Sequence, residues 1–162
     1  MRTRRVLTLS VTAAVVALVA AGRTSGRAGG GPAISADPSR IDSAREAVAR
    51  AYIDALISHD SSAVRFAPRA TRVEAGLKTG FSGSQMTWDL AHGPQYRVIQ
   101  GIRDLEMSES GDVVSTRYLL DAGIAGARLM TVEIVETFEV RDGSIHAIVA
   151  RITPKSLGNS GS

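Results

Sequence analysis

Residues 131–152, TVEIVETFEVRDGSIHAIVARI, specify a pair of long strands joined at Asp142-Gly143. Met130, Val132, Ile134, Phe138 and Val140 alternate with polar neighbours, and a period of two places them on one sheet face. An Asp-Gly dipeptide between two such runs is a strong signal for a tight hairpin turn. One carboxylate interrupts the pattern: Glu136 has the parity of the apolar residues and points where they point. Left unpaired it would cost several kcal/mol or shift its pKa until it is neutral. It is therefore either a structural group, bridged to an arginine such as Arg117 or Arg151, or part of a lined cavity.

The same pattern repeats upstream. Strand candidates span about 95–107, 113–121, 128–140 and 144–152, separated by glycine turns at Gly111-Asp112, Gly123–Gly126 and Asp142-Gly143. Short turns between consecutive strands predict an antiparallel meander. Mixed parity in the first of these strands, with Gly101 inside it, predicts a bulge. Helical patterns come earlier. Asp37-Pro38 is a good helix start, and Ile41, Ala44, Val48, Tyr52, Ala55 and Leu56 follow at spacings of three and four. His59 stands where that helix ends, a left-handed terminal position. Asp60-Ser61-Ser62 is read as capping a short second helix stopped by Pro68, residues 71–75 as a short strand, and 82–91 as a small helix closed by His92-Gly93-Pro94. Helices first and sheet last predict an α+β fold, with N-terminal helices packed on a curved, mainly antiparallel sheet.

The amino end reads as an address. Arg2, Arg4 and Arg5 precede a short apolar run to Ala21, the pattern of a secretory signal peptide cut after Ala21. The run is shorter than the roughly 20 strongly apolar residues a membrane span needs, and an uncleaved signal is the alternative. Arg4-Arg5 resembles a twin-arginine signal, but adjacent arginines are common in the general secretory signals read here. Residues 22–36 are a glycine-rich linker expected to be disordered, 37–154 form one domain, and 155–162 are a tail expected to be disordered. There is no cysteine, so an exported chain must stand on its core without disulfides. Three of the 19 basic residues and none of the 16 acids lie in residues 1–21, which leaves the remainder formally neutral. A nucleic-acid footprint is therefore not expected.

The order of elements, with 51–60 (AYIDALISHD), Phe66-Ala67-Pro68 followed by 71–75 (TRVEA), and 135–145 (VETFEVRDGSI), resembles the nuclear transport factor 2-like superfamily over about residues 40–153. That superfamily includes ketosteroid isomerases and SnoaL-like polyketide cyclases. The resemblance implies a cone-shaped α+β fold, an open sheet face used for dimerisation, and a cavity between helices and sheet. In the isomerases a helix tyrosine and a late-strand acid face an aspartate base. Those positions correspond to Tyr52, Glu136 and Ala75, and alanine can do no proton chemistry. Glu74 is next door, but its strand parity is opposite, so it is expected to face outward.

The reading that follows is an exported protein holding a small apolar ligand, with Tyr52 and Glu136 as the polar end and Trp88 and Tyr118 as apolar wall. The alternatives are a SnoaL-like isomerase, cyclase or dehydratase using Glu136 or His92 as acid or base, and a homodimerising interaction module. No histidine pair has ligand spacing with a carboxylate, and no phosphate loop, nucleophile elbow or cofactor fingerprint is present, so neither metal nor cofactor is expected.

Overall fold

The computed structural model describes residues 41–155. The predicted signal peptide, the linker, the Asp37-Pro38 helix start and the tail from 156 lie outside the described residues. Helix α1 runs Ala44–Ser58 and is opened by Ser43, whose hydroxyl accepts from the Glu46 amide while the Glu46 carboxylate accepts from the Ser43 amide. This reciprocal capping box satisfies two amides that the helix itself cannot. The cap fixes which residues are helical, and it corrects the predicted face. Ile41 precedes the helix and is 92 % exposed, and Ala44 is exposed. The buried stripe is Ala49, Tyr52, Ile53, Ala55 and Leu56. His59 ends the helix at φ 57, ψ 17, with its amide donating to the Ala55 carbonyl.

The short helix expected after His59 does not form: residues 60–65 are a turn and coil. Asp60 accepts from the Ser62 amide in a turn, and the chain enters strand β1, Phe66–Glu74. Pro68 lies in the interval between Phe66 and Thr71 where pairing with β6 is irregular, a strand position that tolerates a missing N–H. An antiparallel partner, β2 (Leu77–Gly80), follows a turn in which Ala75 and Gly76 both have positive φ. Helix α2, Gly83–His92, is capped by Ser82, and a 3-10 turn at Pro94–Val98 leads into β3, Ile99–Ser110. The predicted 95–107 strand thus begins four residues late, and its expected bulge lies between Ile99 and Gly101. Strands β4 (Val113–Ile124), β5 (Ala127–Arg141) and β6 (Ser144–Lys155) complete the meander. Lys155 therefore belongs to a strand and not to the tail. Asp142 and Gly143 have φ of 50° and 70°, as the mirror-image hairpin turn requires.

The six strands form one open sheet in the order β2-β1-β6-β5-β4-β3, antiparallel except where β1 meets β6. Tyr52, Ile53 and Leu56 of α1 pack against Tyr118, Leu120, Ile134, Phe138, Ile148 and Ile152 of the sheet. Tyr52 meets Phe66 and Phe138 edge to face, at centroid separations of 6.1 and 5.4 Å. Helix α2 lies on β1 through Met86, Ala67 and Ala70. Its first residue must be small: a Cβ on Gly83 would lie 2.4 Å from the Ala67 carbonyl oxygen and 2.9 Å from Phe66 Cβ. Gly83→Ala should therefore lift α2 from β1 and cost about 1–3 kcal/mol, read as a lower urea midpoint at unchanged slope. An unshifted midpoint would contradict this packing.

Candidate functional site

Where α1 crosses the sheet, the core turns polar. Glu74 of β1 pairs with Ala150 of β6, Ala150 pairs with Glu136 of β5, and Glu136 pairs with Thr116 of β4. Directly paired residues project to the same face, so both carboxyl groups rise on the α1 side with the small Ala150 between them. Arg72 lies two residues before Glu74 and so rises on that side too. Its backbone approaches Gly80 of β2, where a Cβ would lie 2.6 Å from Arg72 Cβ. Arg72, Glu74 and Glu136 are at most 1 % exposed.

The guanidinium is the centre of this cluster. Arg72 Nε donates to Thr79 Oγ1 at 3.0 Å and lies 3.5 Å from Glu74 Oε2. Thr79 in turn donates to Glu74 Oε2 at 2.6 Å. Arg72 Nη1 donates to the Tyr96 hydroxyl at 2.7 Å and reaches that of Tyr52 at 3.5 Å. Arg72 Nη2 is buried and has no hydrogen-bond partner among the described residues. On the other side of Ala150, the Tyr118 hydroxyl donates to Glu136 Oε2 at 3.0 Å, and Thr116 Oγ1 donates to the Glu136 carbonyl at 3.3 Å.

Burial decides the protonation states. It pushes the Tyr52, Tyr96 and Tyr118 hydroxyls up, so all three keep their protons. Glu136 is raised from 4.5 to about 8 by burial; the Tyr118 hydrogen bond and the Arg72 charge pull it down, while Glu74 adds to the rise. At neutral pH the cluster thus holds one ion pair, Arg72 with Glu74, and one protonated carboxyl group.

The structure brings Tyr52, Tyr118 and Glu136 together, but Tyr118, expected as apolar wall, turns its hydroxyl to the Glu136 carboxyl group. Four other positions, Glu74, Ala75, Trp88 and His92, differ. Glu74 faces inward, in unbroken alternation with Ala70 and Arg72, and Ala75 is an exposed turn residue at positive φ. Trp88 is 60 % exposed, since α2 buries Gly83, Met86, Asp89 and Leu90 instead. His92 is exposed and stacks on Trp88 at 5.1 Å, away from the cluster. Neither supplies a wall or a proton there. Arg117 ties Glu133 and Glu106 together on the opposite sheet face, and Arg151 is exposed, so neither bridges Glu136.

Sequence reasoning missed Arg72, Glu74, Thr79 and Tyr96. The available signal was a set of small residues, Thr79, Gly80 and Ala150, that leave room for the guanidinium. Among the described residues no group of His, Cys, Asp and Glu could hold a metal ion. A groove of about 310 Å³ lies elsewhere, on the solvent side of α1 between Asp42, Arg50, Asp54 and Asp60.

Two predictions follow from these states. Between the unfolded value near 4.5 and the folded value of about 8, the folded chain keeps a proton on Glu136 that the unfolded chain has released. Stability from this group is complete below about 4.5 and is lost as pH rises through about 8, at roughly 1 kcal/mol per pH unit across the window. Glu136→Gln should flatten that slope in urea denaturation, and a slope unchanged by the substitution would contradict the assignment. Arg72→Met should cost about 3–5 kcal/mol by leaving Glu74 buried without its cation. Arg72→Met with Glu74→Gln should recover most of that loss, and equal losses in both variants would contradict the pairing.

In comparisons with known proteins, no curated protein matches the chain. Solved structures do. An LEH-like epoxide hydrolase from M. tuberculosis matches with a TM-score of 0.56 at 18 % identity, over 67 % of this chain and 82 % of that one. An NTF-2 like protein of unknown function from Burkholderia xenovorans matches at 0.55 and 14 %, over 69 % and 84 %. IdmH, a putative polyketide cyclase from Streptomyces antibioticus, matches at 0.51 and 15 %, over 67 % and 91 %. At these identities the likeness is one of fold, and the fold is that of the nuclear transport factor 2-like superfamily. A family model described as "Domain of unknown function (DUF8021)" matches residues 40–152, and the chain belongs to that family.

Proposed function

We propose that the chain binds a small, largely apolar organic molecule at the buried polar cluster, with Tyr52, Arg72 and Glu136 contacting its polar end and Tyr118 beside them. The observation that carries this reading is Arg72 Nη2: a buried guanidinium nitrogen with no hydrogen-bond partner among the described residues, while Nε and Nη1 of the same group are engaged. An unmet donor at such depth costs about 1–3 kcal/mol, and a ligand oxygen would remove that cost. The apolar side chains packed around the cluster would face the rest of such a molecule. Structural neighbours with this fold are named as a putative polyketide cyclase and an LEH-like epoxide hydrolase, names that support an organic ligand.

A second reading is acid–base catalysis at the same place, and a specific observation favours it. Glu74 is ion-paired with Arg72, while Glu136 is held neutral two strands across the sheet. Two carboxyl groups in opposite protonation states are the pair such chemistry uses. The base that the resemblance left missing at Ala75 is replaced in this reading by Glu74, and Glu136 is the acid.

A 15N-labelled chain titrated with a library of aromatic ketones, esters and lactones tests the first reading. Binding should shift the Arg72 Nε–H resonance together with the Tyr52 and Glu136 amides. A library that moves none of these signals would rule it out. The second reading is separated by Glu136→Gln, which should retain binding of any hit that the native chain transforms and abolish its turnover; retained turnover would exclude Glu136 as the acid.

A further inference from the structure

Charge is segregated along the chain. Residues 61–100 contain two acids, Glu74 and Asp89, and both are buried. Of the basic residues in the same segment, Arg72 is drawn inside, while Arg65, Arg69, Lys78 and Arg97 are all exposed. These residues make up α2, the two strands β1 and β2 beside it, and the 3-10 turn that follows.

The same segment holds three large apolar side chains in solvent: Leu77 at 51 %, Phe81 at 50 % and Trp88 at 60 % exposure. Phe81 stands just before the α2 cap, and Trp88 and His92 follow at helical spacing, on the side opposite Met86, Asp89 and Leu90. The rings are held in place. Trp88 stacks on His92, and Lys78 Nζ lies 5.3 Å from the centre of the Phe81 ring. Single exposed apolar residues are ordinary, but an ordered Trp on the outer side of α2 and an ordered Phe at its start, in a segment whose exposed charges are all basic, are not.

We propose that this face of α2 docks on the headgroup region of an anionic lipid bilayer. Tryptophan favours the boundary between headgroups and acyl chains, where its amphipathic ring has both an apolar and a polar neighbour, and phenylalanine adds apolar area that can enter the acyl boundary. Each nearby Lys or Arg adds attraction to an anionic surface, and this segment exposes no acid to oppose it. No helix among the described residues is long and apolar enough to cross a membrane, so the contact is peripheral. A polyanion with no apolar layer, such as nucleic acid, would use the basic side chains but give Phe81 and Trp88 nothing to bury against.

Trp88 is the only tryptophan in the sequence, so its emission reads this face alone. The full chain is mixed with vesicles of phosphatidylcholine and phosphatidylglycerol, with vesicles of phosphatidylcholine alone, and with a single-stranded oligonucleotide. With the anionic vesicles, Trp88 emission should move to shorter wavelength and become protected from an aqueous quencher, and the effect should weaken with added salt. Lys78→Ala and Arg97→Ala should each reduce partitioning about fivefold, and Phe81→Ala should reduce the spectral shift. Several results would overturn the proposal. One is unchanged Trp88 emission, even if the chain sediments with vesicles through another segment. Others are an equal shift on phosphatidylcholine alone, an equal shift with the oligonucleotide, and a shift that tracks protein concentration without lipid, which would identify a second copy as the occupant.

Discussion

A guanidinium and a carboxylate lie side by side in the core between α1 and the sheet, and the surrounding structure is arranged to permit it. Removing two charges from water costs several kcal/mol each, and mutual attraction offsets this only when further hydrogen bonds complete the pair. Thr79 bonds both partners, Tyr96 and Tyr52 accept from Arg72, and Gly80 and Ala150 leave the volume the charged groups occupy. The shell draws on α1, β1, β2 and the 3-10 turn, with β4 and β5 adjoining through Tyr118 and Glu136. One ionic contact therefore registers most elements of the domain against one another.

Glu136 follows from that arrangement. A second carboxylate one strand beyond Ala150 would give the cluster a net negative charge that nothing nearby balances, so burial leaves it protonated. Tyr118 then contributes a hydrogen bond in place of a countercharge. A charged pair, a neutral acid and an unmet guanidinium donor make a chemically asymmetric interior. A core selected for packing alone is better served by apolar residues of the same volume, since replacing a buried ion pair in that way is often neutral or stabilising. That asymmetry is the physical basis for reading the cluster as a binding or reacting site.

Much of the fold was legible because it is written in the period of the apolar residues. The β5–β6 hairpin, its Asp142-Gly143 turn, the left-handed His59 and the inward positions of Tyr52, Tyr118 and Glu136 all follow from spacing. Strand β1 was misread for an equally physical reason. Thr71 and Val73 carry its apolar parity, yet the opposite parity, Ala70, Arg72 and Glu74, is the one fully buried. Pattern reading sends apolar side chains inward, and a strand that buries an ion pair inverts the rule. Trp88 was misplaced by the mirror of that error, since α2 buries a glycine and an aspartate and leaves its largest apolar residue outside. Ile41 failed because the helix begins at a capping box that hydrophobic spacing does not reveal.

The central claim is that Glu136 is neutral beside a charged Arg72–Glu74 pair in the resting protein. Site-specific 13C labelling of the Glu136 carboxyl carbon, followed by NMR across the pH range, measures that state without recourse to stability or ligand. The account predicts a resonance of a protonated acid at pH 6 and an inflection near the value of about 8 that burial imposes. A carboxylate resonance at pH 6, with an inflection close to the ordinary 4.5 of an exposed glutamate, would contradict it.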